Sequence, residues 1–360
     1  MSAPILIMAG GTGGHVFPAL AVARALRQHD EEIVWLGTRR GIEAELIPAE
    51  NIPLEVTRVA GLRGKGLLTW LLAPFKLMVA LFDAIAVVRR RRPKVVLGMG
   101  GFASGPGGLA AWLLRKPLVI HEQNSVAGLT NRLLAGFARE VLEAFPGSFS
   151  AGVRTRLVGN PVRPDIAALP APAERLRDRS GALRILVLGG SLGAKALNET
   201  VPQAIALLDE NARPEILHQA GKATLDVARA AYAESGVDAT IEPFIADVAA
   251  AYAWADIAIC RAGALTVSEL AAAGLGAILI PYPSAVDDHQ TTNARYLVDA
   301  EAAILMPQSE LTPAKMAGEI RRCIDDRSVV LARAQRAREL ARPEATREVA
   351  DLCLALGEAA

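Results

Sequence analysis

Gly10-Gly11-Thr12-Gly13-Gly14-His15 sets a glycine-rich turn, a hydroxyl and an imidazole side by side, directly after the apolar run Ile5-Leu-Ile-Met. Glycine in such a turn admits positive φ and lets a ligand reach the backbone with no Cβ in the way. The helix expected to follow, starting near Val16 with Pro18 in its first turn, would aim unpaired N–H groups at an anion or a polar ligand. His15 is expected at the tip of the loop beside that helix N-terminus, where the dipole disfavours an imidazolium and leaves a neutral ring able to accept a proton. A histidine that merely closes the loop would read the same way. The spacing is not G-x-G-x-x-G, and Leu36-Gly37-Thr38-Arg39-Arg40 stands where a nicotinamide site would want an acid. Those arginines could accept a 2′-phosphate instead, so an NADP-dependent enzyme survives as a minor alternative.

Other loops add chemistry of the same kind. Gly98-Met-Gly-Gly-Phe-Ala-Ser-Gly-Pro-Gly-Gly108 and Gly189-Gly-Ser-Leu-Gly-Ala194 also follow apolar runs. One glycine loop often serves only tight packing; three at strand C-termini, where open α/β sheets place their ligands, carry more weight. Arg261-Ala-Gly-Ala-Leu-Thr-Val-Ser-Glu269 puts a carboxylate in the first turns of a helix, able to accept paired sugar hydroxyls or simply to close a capping box. Asp287-Asp-His-Gln-Thr-Thr-Asn293 is a polar cluster opening another helix, again open to a plain N-capping reading. D-x-D, GxxxxGK[ST], G-x-S-x-G and H-E-x-x-H are all absent from the chain. A metal-independent mechanism that offsets phosphate charge with helix dipoles and arginine is what remains, and no cofactor is expected.

The elements that must position these groups are legible as apolar runs: Ile5–Met8, Ile33–Leu36, Val95–Leu97, Leu118–Ile120, Ile185–Leu188, Ile216–Leu217, Ile257–Ile259 and Ala277–Ile280. They are continuous rather than alternating, as strands buried on both faces are, and alanine- and leucine-rich helical patterns separate them. Ile5-Leu-Ile-Met-Ala-Gly-Gly-Thr-Gly-Gly is echoed by Ile185-Leu-Val-Leu-Gly-Gly-Ser-Leu-Gly-Ala, so each opens its own doubly wound domain. Asn160-Pro-Val-Arg-Pro164, Pro170 and Pro172 supply the linker between them. The expectation is an α/β protein of two Rossmann-like, doubly wound parallel-sheet domains facing a central cleft.

Composition bounds the partners. With 39 basic against 38 acidic residues and a net charge of +1, nothing favours a nucleic-acid partner. Cys260, Cys323 and Cys353 are odd in number and widely spaced, fitting core thiols in a reducing compartment. The N-terminus lacks a basic n-region and meets glycines before an h-region could form, so the chain is expected to stay inside the cell. One stretch is uneven: Leu67 to Val88 is almost wholly apolar and runs into Arg89-Arg-Arg-Arg92 and Lys94. Pro74, Lys76 and Asp83 argue against a spanning helix. Two readings remain open: a buried helix pair, or an amphipathic face whose Trp70, Leu71, Leu72 and Phe75 enter a bilayer while the basic residues of Leu67–Lys94 meet an anionic membrane surface.

Taken in order, Gly10–His15, Gly98–Pro106, His121-Glu-Gln-Asn124 with Ala127-Gly-Leu-Thr-Asn131, Gly159-Asn-Pro-Val-Arg163, Gly189–Ala194, Arg261–Glu269 and His289-Gln290-x-x-Asn293 resemble the MurG transferases over essentially the whole chain. The resemblance implies a GT-B fold. It implies an N-terminal lipid-acceptor and membrane-facing domain (1–162, joined by a C-terminal helix, 343–360) and a C-terminal donor domain (163–342). It also implies inverting transfer of N-acetylglucosamine from UDP-GlcNAc to the 4-hydroxyl of the MurNAc-pentapeptide on undecaprenyl diphosphate, which converts lipid I to lipid II in peptidoglycan synthesis. By the same resemblance the donor would be held by Thr12, Gly13, Gly14, Asn124, Arg163, Ser191, Ile245, Ala264, Leu265, Thr266, Val267, Ser268, Glu269, His289 and Gln290. Glu269 would take the ribose hydroxyls, the backbone near Ile245 the uracil, Ser191 and Arg163 the diphosphate, and Asn124, His289 and Gln290 the GlcNAc. His15 would activate the acceptor hydroxyl. A peripheral place on the cytoplasmic face of the plasma membrane and a cell-wall synthesis complex as partner are implied with it. Two other classes are weighed beside this reading: a non-hydrolysing UDP-GlcNAc epimerase of the same fold, and a membrane-associated scaffold that would leave the loops unexplained.

Overall fold

The computed structural model describes residues 3–58, 73–190, 193–283 and 288–359. The chain divides into two compact units, Met1–Val162 with Pro343–Ala360, and Arg163–Arg342.

In the first unit the strands are β1 (Ile5–Met8), β2 (Ile33–Gly37), β3 (Leu54–Val56), β4 (Val95–Gly98), β5 (Leu118–Glu122), β6 (Glu140–Glu143) and β7 (Arg156–Leu157). All pair in parallel, in the order β3-β2-β1-β4-β5-β6-β7. Successive side chains enter opposite cores. Ile5 and Ile7 join Trp35 and Leu97 on one face, while Leu6 and Met8 join Leu36 and Val96 on the other. Both faces are therefore dry, which is why the strands read as unbroken apolar runs. Each such side chain contributes about 1.5–3 kcal/mol by leaving water.

The helices of this unit are α1 (Gly13–Arg27), α2 (Glu43–Ala49), α3 (Ala73–Arg91), α4 (Ser104–Leu113) and α5 (Leu129–Leu134). α1 begins three residues earlier than Val16, because Thr12 takes an extended conformation and its carbonyl accepts from the N–H groups of His15 and Val16. His15 consequently lies in the first helical turn, not at a loop tip, and Pro18 falls one turn further in. Lys195–Ala206 and the other second-unit helices follow in sequence, and the last helix of the chain, Ala345–Glu358, returns to the first unit. Its Val349, Ala350 and Cys353 share a core with Val16, Leu20 and Ala23 of α1.

α3 is one helix, with Pro74 in its first turn. Ala84, Val87 and Val88 are buried against the sheet, but Phe75 and Phe82 are each 64% exposed and Met78 lies exposed between them. Arg90 and Arg91 both bond Glu55, at 2.5 and 2.8 Å, and Arg58 chelates Asp83. Among the described residues no helix is long and apolar enough to cross a membrane. Trp70, Leu71 and Leu72 lie outside the described residues.

The second unit repeats the plan with β8 (Arg184–Leu188), β9 (Glu215–Gln219), β10 (Thr240–Glu242), β11 (Ile257–Cys260), β12 (Gly276–Leu279) and β13 (Ala303–Leu305), parallel in the order β10-β9-β8-β11-β12-β13. In both units the first strand sits mid-sheet and the chain winds outward in both directions. The strand order thus reverses at β1/β4 and again at β8/β11, and the crevice outside such a reversal is where open α/β sheets take their ligands. Cys260, Cys323 and Cys353 are free and buried, as core thiols.

Candidate functional site

In the first unit, the loops that leave β1, β4 and β5 are the three that carry the glycine and His-Glu-Gln-Asn motifs. Helix geometry leaves the first N–H groups of α1, at Gly13 and Gly14, without intrahelical partners. His15, half-buried in that turn, has its Nδ1 3.1 Å from Oε1 of Gln123. Gln123 is buried, and its Nε2 donates to the Met99 carbonyl at 3.0 Å and lies 3.1 Å from Nδ1 of His121. His121 is wholly buried, which pushes its pKa below the usual histidine value, and its Nε2 is 2.9 Å from the Gly159 carbonyl.

Glu122 explains why His121–Asn124 and Ala127–Asn131 come as a pair. Its buried carboxylate accepts from the Asn124 N–H, the Asn124 amide, the Gly128 N–H and the Asn131 amide at 2.8–3.2 Å. Asn124 is therefore oriented by its neighbour before any ligand arrives.

Gly100 and Gly101 hold positive φ of +89° and +85°. A Cβ at Gly100 would lie 2.6 Å from Nδ1 of His15, and one at Gly101 would collide with the Gly10 backbone. The β4 loop is thus glycine so that it can lie flat against the His15 ring. Gly100→Ala is expected to destabilise the fold by about 1–3 kcal/mol through backbone strain and to lower turnover at least tenfold by displacing the ring, read by thermal melts beside kcat.

In the second unit, Glu269 on the helix Ala264–Ala273 is only 7% exposed. Nη2 of Arg163 donates to its Oε1 at 3.0 Å, and the Tyr252 hydroxyl donates to its Oε2 at 3.1 Å. Burial pushes the Glu269 carboxyl above its usual range, opposed by the Arg163 charge. The capping-box reading of Glu269 fails, since its oxygens go to side chains from elsewhere in the unit. The expected donor run Ala264–Glu269 is divided by burial: the Val267 side chain is wholly inside the core and Ala264 nearly so, while Leu265, Thr266 and Ser268 are half-buried. Arg261 is tied to the Ile280 and Pro281 carbonyls and to Gln308, so it braces the end of β12. Gln290 accepts from the Tyr282 N–H at 2.9 Å and His289 opens its helix. Ile245 is buried just before the helix Val248–Trp254. Ser191 and Asp287 lie outside the described residues.

Models of the glycosyltransferase family 28 N-terminal and C-terminal domains match residues 5–143 and 184–351. A UDP-N-acetylglucosamine–N-acetylmuramyl-(pentapeptide) pyrophosphoryl-undecaprenol N-acetylglucosamine transferase of Marinobacter nauticus is 58% identical, over 97% of this chain and 96% of that protein. The same-named protein of Nitrosococcus oceani is 56% identical, over 98% and 99%. The crystal structure of MurG from Acinetobacter baumannii matches with a TM-score of 0.84 at 42% identity, covering 98% of this chain and 99% of that one. The chain belongs to the MurG family. A calicheamicin glycosyltransferase (TM-score 0.69, 17% identity, all of both chains) and a UDP-N-acetylglucosamine 2-epimerase (0.67, 13%, 99% and 98%) share the fold alone, the GT-B arrangement of two parallel-sheet domains.

Three residues of this MurG-family chain carry structural roles that their sequence context does not reveal. Glu43 is fully buried and accepts from the Gly11 N–H, the Thr38 N–H and the Thr38 hydroxyl at 2.8–3.0 Å, bracing the first glycine turn. Its carboxylate stands against Thr38, where the NADP reading would need room for a 2′-phosphate dianion, and like charges there repel. Nothing in its spacing separates Glu43 from the exposed Glu45. Tyr252 is hidden in an alanine-rich helix. Gln123 lies within a motif already quoted, yet only its partners reveal its use.

Proposed function

We propose that this chain transfers N-acetylglucosamine from UDP-GlcNAc to the 4-hydroxyl of MurNAc-pentapeptide on undecaprenyl diphosphate, with inversion, converting lipid I to lipid II. The observation that carries the reading is similarity at 56–58% identity along nearly the whole of both chains to proteins of that name. The acceptor oxygen forms a bond to the anomeric carbon as the bond to the UDP oxygen breaks. Nε2 of His15 takes the hydroxyl proton, and UDP leaves with its charge offset by Arg163 and the helix N-termini at Lys195 and Ala264. Glu269 accepts the ribose hydroxyls; Ile245 flanks the uracil through its backbone; Asn124, His289 and Gln290 bond the sugar. Arg163 is oriented for this by its ion pair with Glu269. The test is incubation with radiolabelled UDP-GlcNAc and a short-chain lipid I analogue. Label in the lipid product supports the reading; UDP release without it, or formation of the 2-epimer alone, overturns it.

The acceptor is a membrane lipid, and the reading places the enzyme peripherally on the cytoplasmic face, beside the wall-building machinery. α3 supplies the contact: Phe75, Met78 and Phe82 form one exposed apolar face, and Arg89 and Arg92 are exposed near its end. Arg90 and Arg91 count for less, because Glu55 neutralises part of their charge. Changing Phe75 and Phe82 to serine is expected to weaken co-sedimentation with phosphatidylglycerol vesicles at least tenfold, since each ring is worth about 1.5–3 kcal/mol when buried. Transfer to a short-chain acceptor in solution should stay within about twofold of the parent. Unchanged vesicle binding would remove α3 from the membrane contact.

A further inference from the structure

We propose that Gln123 is a positioning residue that locks His15 in its Nδ1–H tautomer, with His121 and the Met99 carbonyl holding the Gln123 amide in the orientation this requires. The inference rests on His15 acting as the base. It concerns which ring nitrogen is free to do so.

The direction of every hydrogen bond follows from groups that can only accept. The Gly159 carbonyl, 2.9 Å from Nε2 of His121, has no proton to give, so His121 carries its proton on Nε2. Burial keeps that ring neutral, and its Nδ1 therefore presents a lone pair. The Gln123 amide group facing that lone pair at 3.1 Å must be a donor, as must the group facing the Met99 carbonyl at 3.0 Å. Both are Nε2, whose two protons are thereby used. A flipped amide would set its oxygen against the Met99 carbonyl and the His121 lone pair at once, two repulsive contacts in a buried site. The remaining atom, Oε1, accepts only, and it lies 3.1 Å from Nδ1 of His15.

A neutral His15 must then keep its one proton on Nδ1. Nε2, which has no hydrogen-bond partner among the described residues, is left as the proton acceptor. A free imidazole favours the opposite tautomer, so without Gln123 the nitrogen needed for catalysis would usually be occupied. Gly100 completes the arrangement: a Cβ there would press on both Nδ1 of His15 and Oε1 of Gln123.

The test is direct. Protein labelled with ¹⁵N-histidine is measured by long-range ¹H–¹⁵N correlation at a pH where His15 is neutral, with His15→Ala used to assign its signals. A protonated Nδ1 and a bare Nε2 are expected for the parent. Gln123→Leu should return His15 to the Nε2–H form or a mixture, and lower kcat about tenfold to a hundredfold with the KM for UDP-GlcNAc unchanged. Gln123→Met, which keeps the length of the side chain but presents no comparable acceptor to His15, should do the same. An Nε2–H tautomer in the parent, or an Nδ1–H tautomer that survives in folded Gln123→Leu, overturns the proposal. If Gln123→Leu does not fold, the parent and Gln123→Met spectra still decide it. The spectra need no substrate, so a failure of the transferase reading would show in the transfer assay and leave the tautomer result standing.

Discussion

His15→Ala is expected to lower kcat by roughly 10²–10⁴, the usual contribution of a positioned general base, while leaving the affinity for UDP-GlcNAc nearly unchanged. Among the described residues the ring makes one side-chain hydrogen bond, to Gln123, worth about 0.5–1.5 kcal/mol in stability. A histidine that only closed its loop would therefore cost a few degrees of melting temperature and little turnover. The two roles separate in one experiment that records steady-state transfer to a short-chain lipid I analogue, UDP titration by calorimetry and thermal melts. Full activity with a lowered melting temperature would return His15 to a structural part. Its position within the first turn of α1, and not at a loop tip, strengthens the catalytic reading, because helix and β4 loop together hold the ring in one place.

The second large effect is expected at Glu269. Its alanine variant should raise the KM for UDP-GlcNAc at least about a hundredfold, because hydrogen bonds from sugar hydroxyls to a carboxylate are each worth about 1.5–3 kcal/mol. kcat at saturating donor should change much less. The same substitution leaves the Tyr252 hydroxyl without its acceptor and separates Arg163 from its counter-charge. A stability loss of about 1–3 kcal/mol accompanies an orphaned buried group of this sort. Glu269→Gln keeps the shape and one acceptor oxygen but removes the ion pair, so it should fall between the parent and Glu269→Ala in donor affinity. UDP affinity that is equal in all three proteins would show that the carboxylate serves only the fold of the second unit.

Much of the fold is open to a reading of local pattern, and most of the strands that are not legible share a cause. The eight apolar runs all became strands because both faces of their sheets are dry, so each position had to be apolar whichever way it pointed. β3, β6, β7, β10 and β13 do not show as apolar runs. Four of them are edge strands with one neighbour, short and only partly buried, and the constraint on composition relaxes there. β6 is an inner strand, but Glu140 and Glu143 at its two ends leave only Val141 and Leu142 as an apolar pair. The start of α1 differs from the expected Val16 because the glycines at Gly13 and Gly14 have the composition of a loop. Thr12 nonetheless adopts the extended conformation of an N-cap and draws them into the helix.

The site divides in the same way. Glycine turns, the echo between Ile5 and Ile185, and ordered motifs suffice to name a family and to place its chemistry at strand ends, because turn geometry and strand burial constrain residues that are adjacent in the chain. What those residues do to one another is decided elsewhere. Gln123 meets His15 across 108 positions, and Arg163 meets Glu269 across 106. Glu43 reaches back 32 positions to brace the turn at Gly11. A glutamine looks the same in sequence whether its amide faces solvent or is pinned between a carbonyl and an imidazole. Only the packing of β4 and β5 beside β1 brings the acceptor-only groups into range, and with them the direction of each proton.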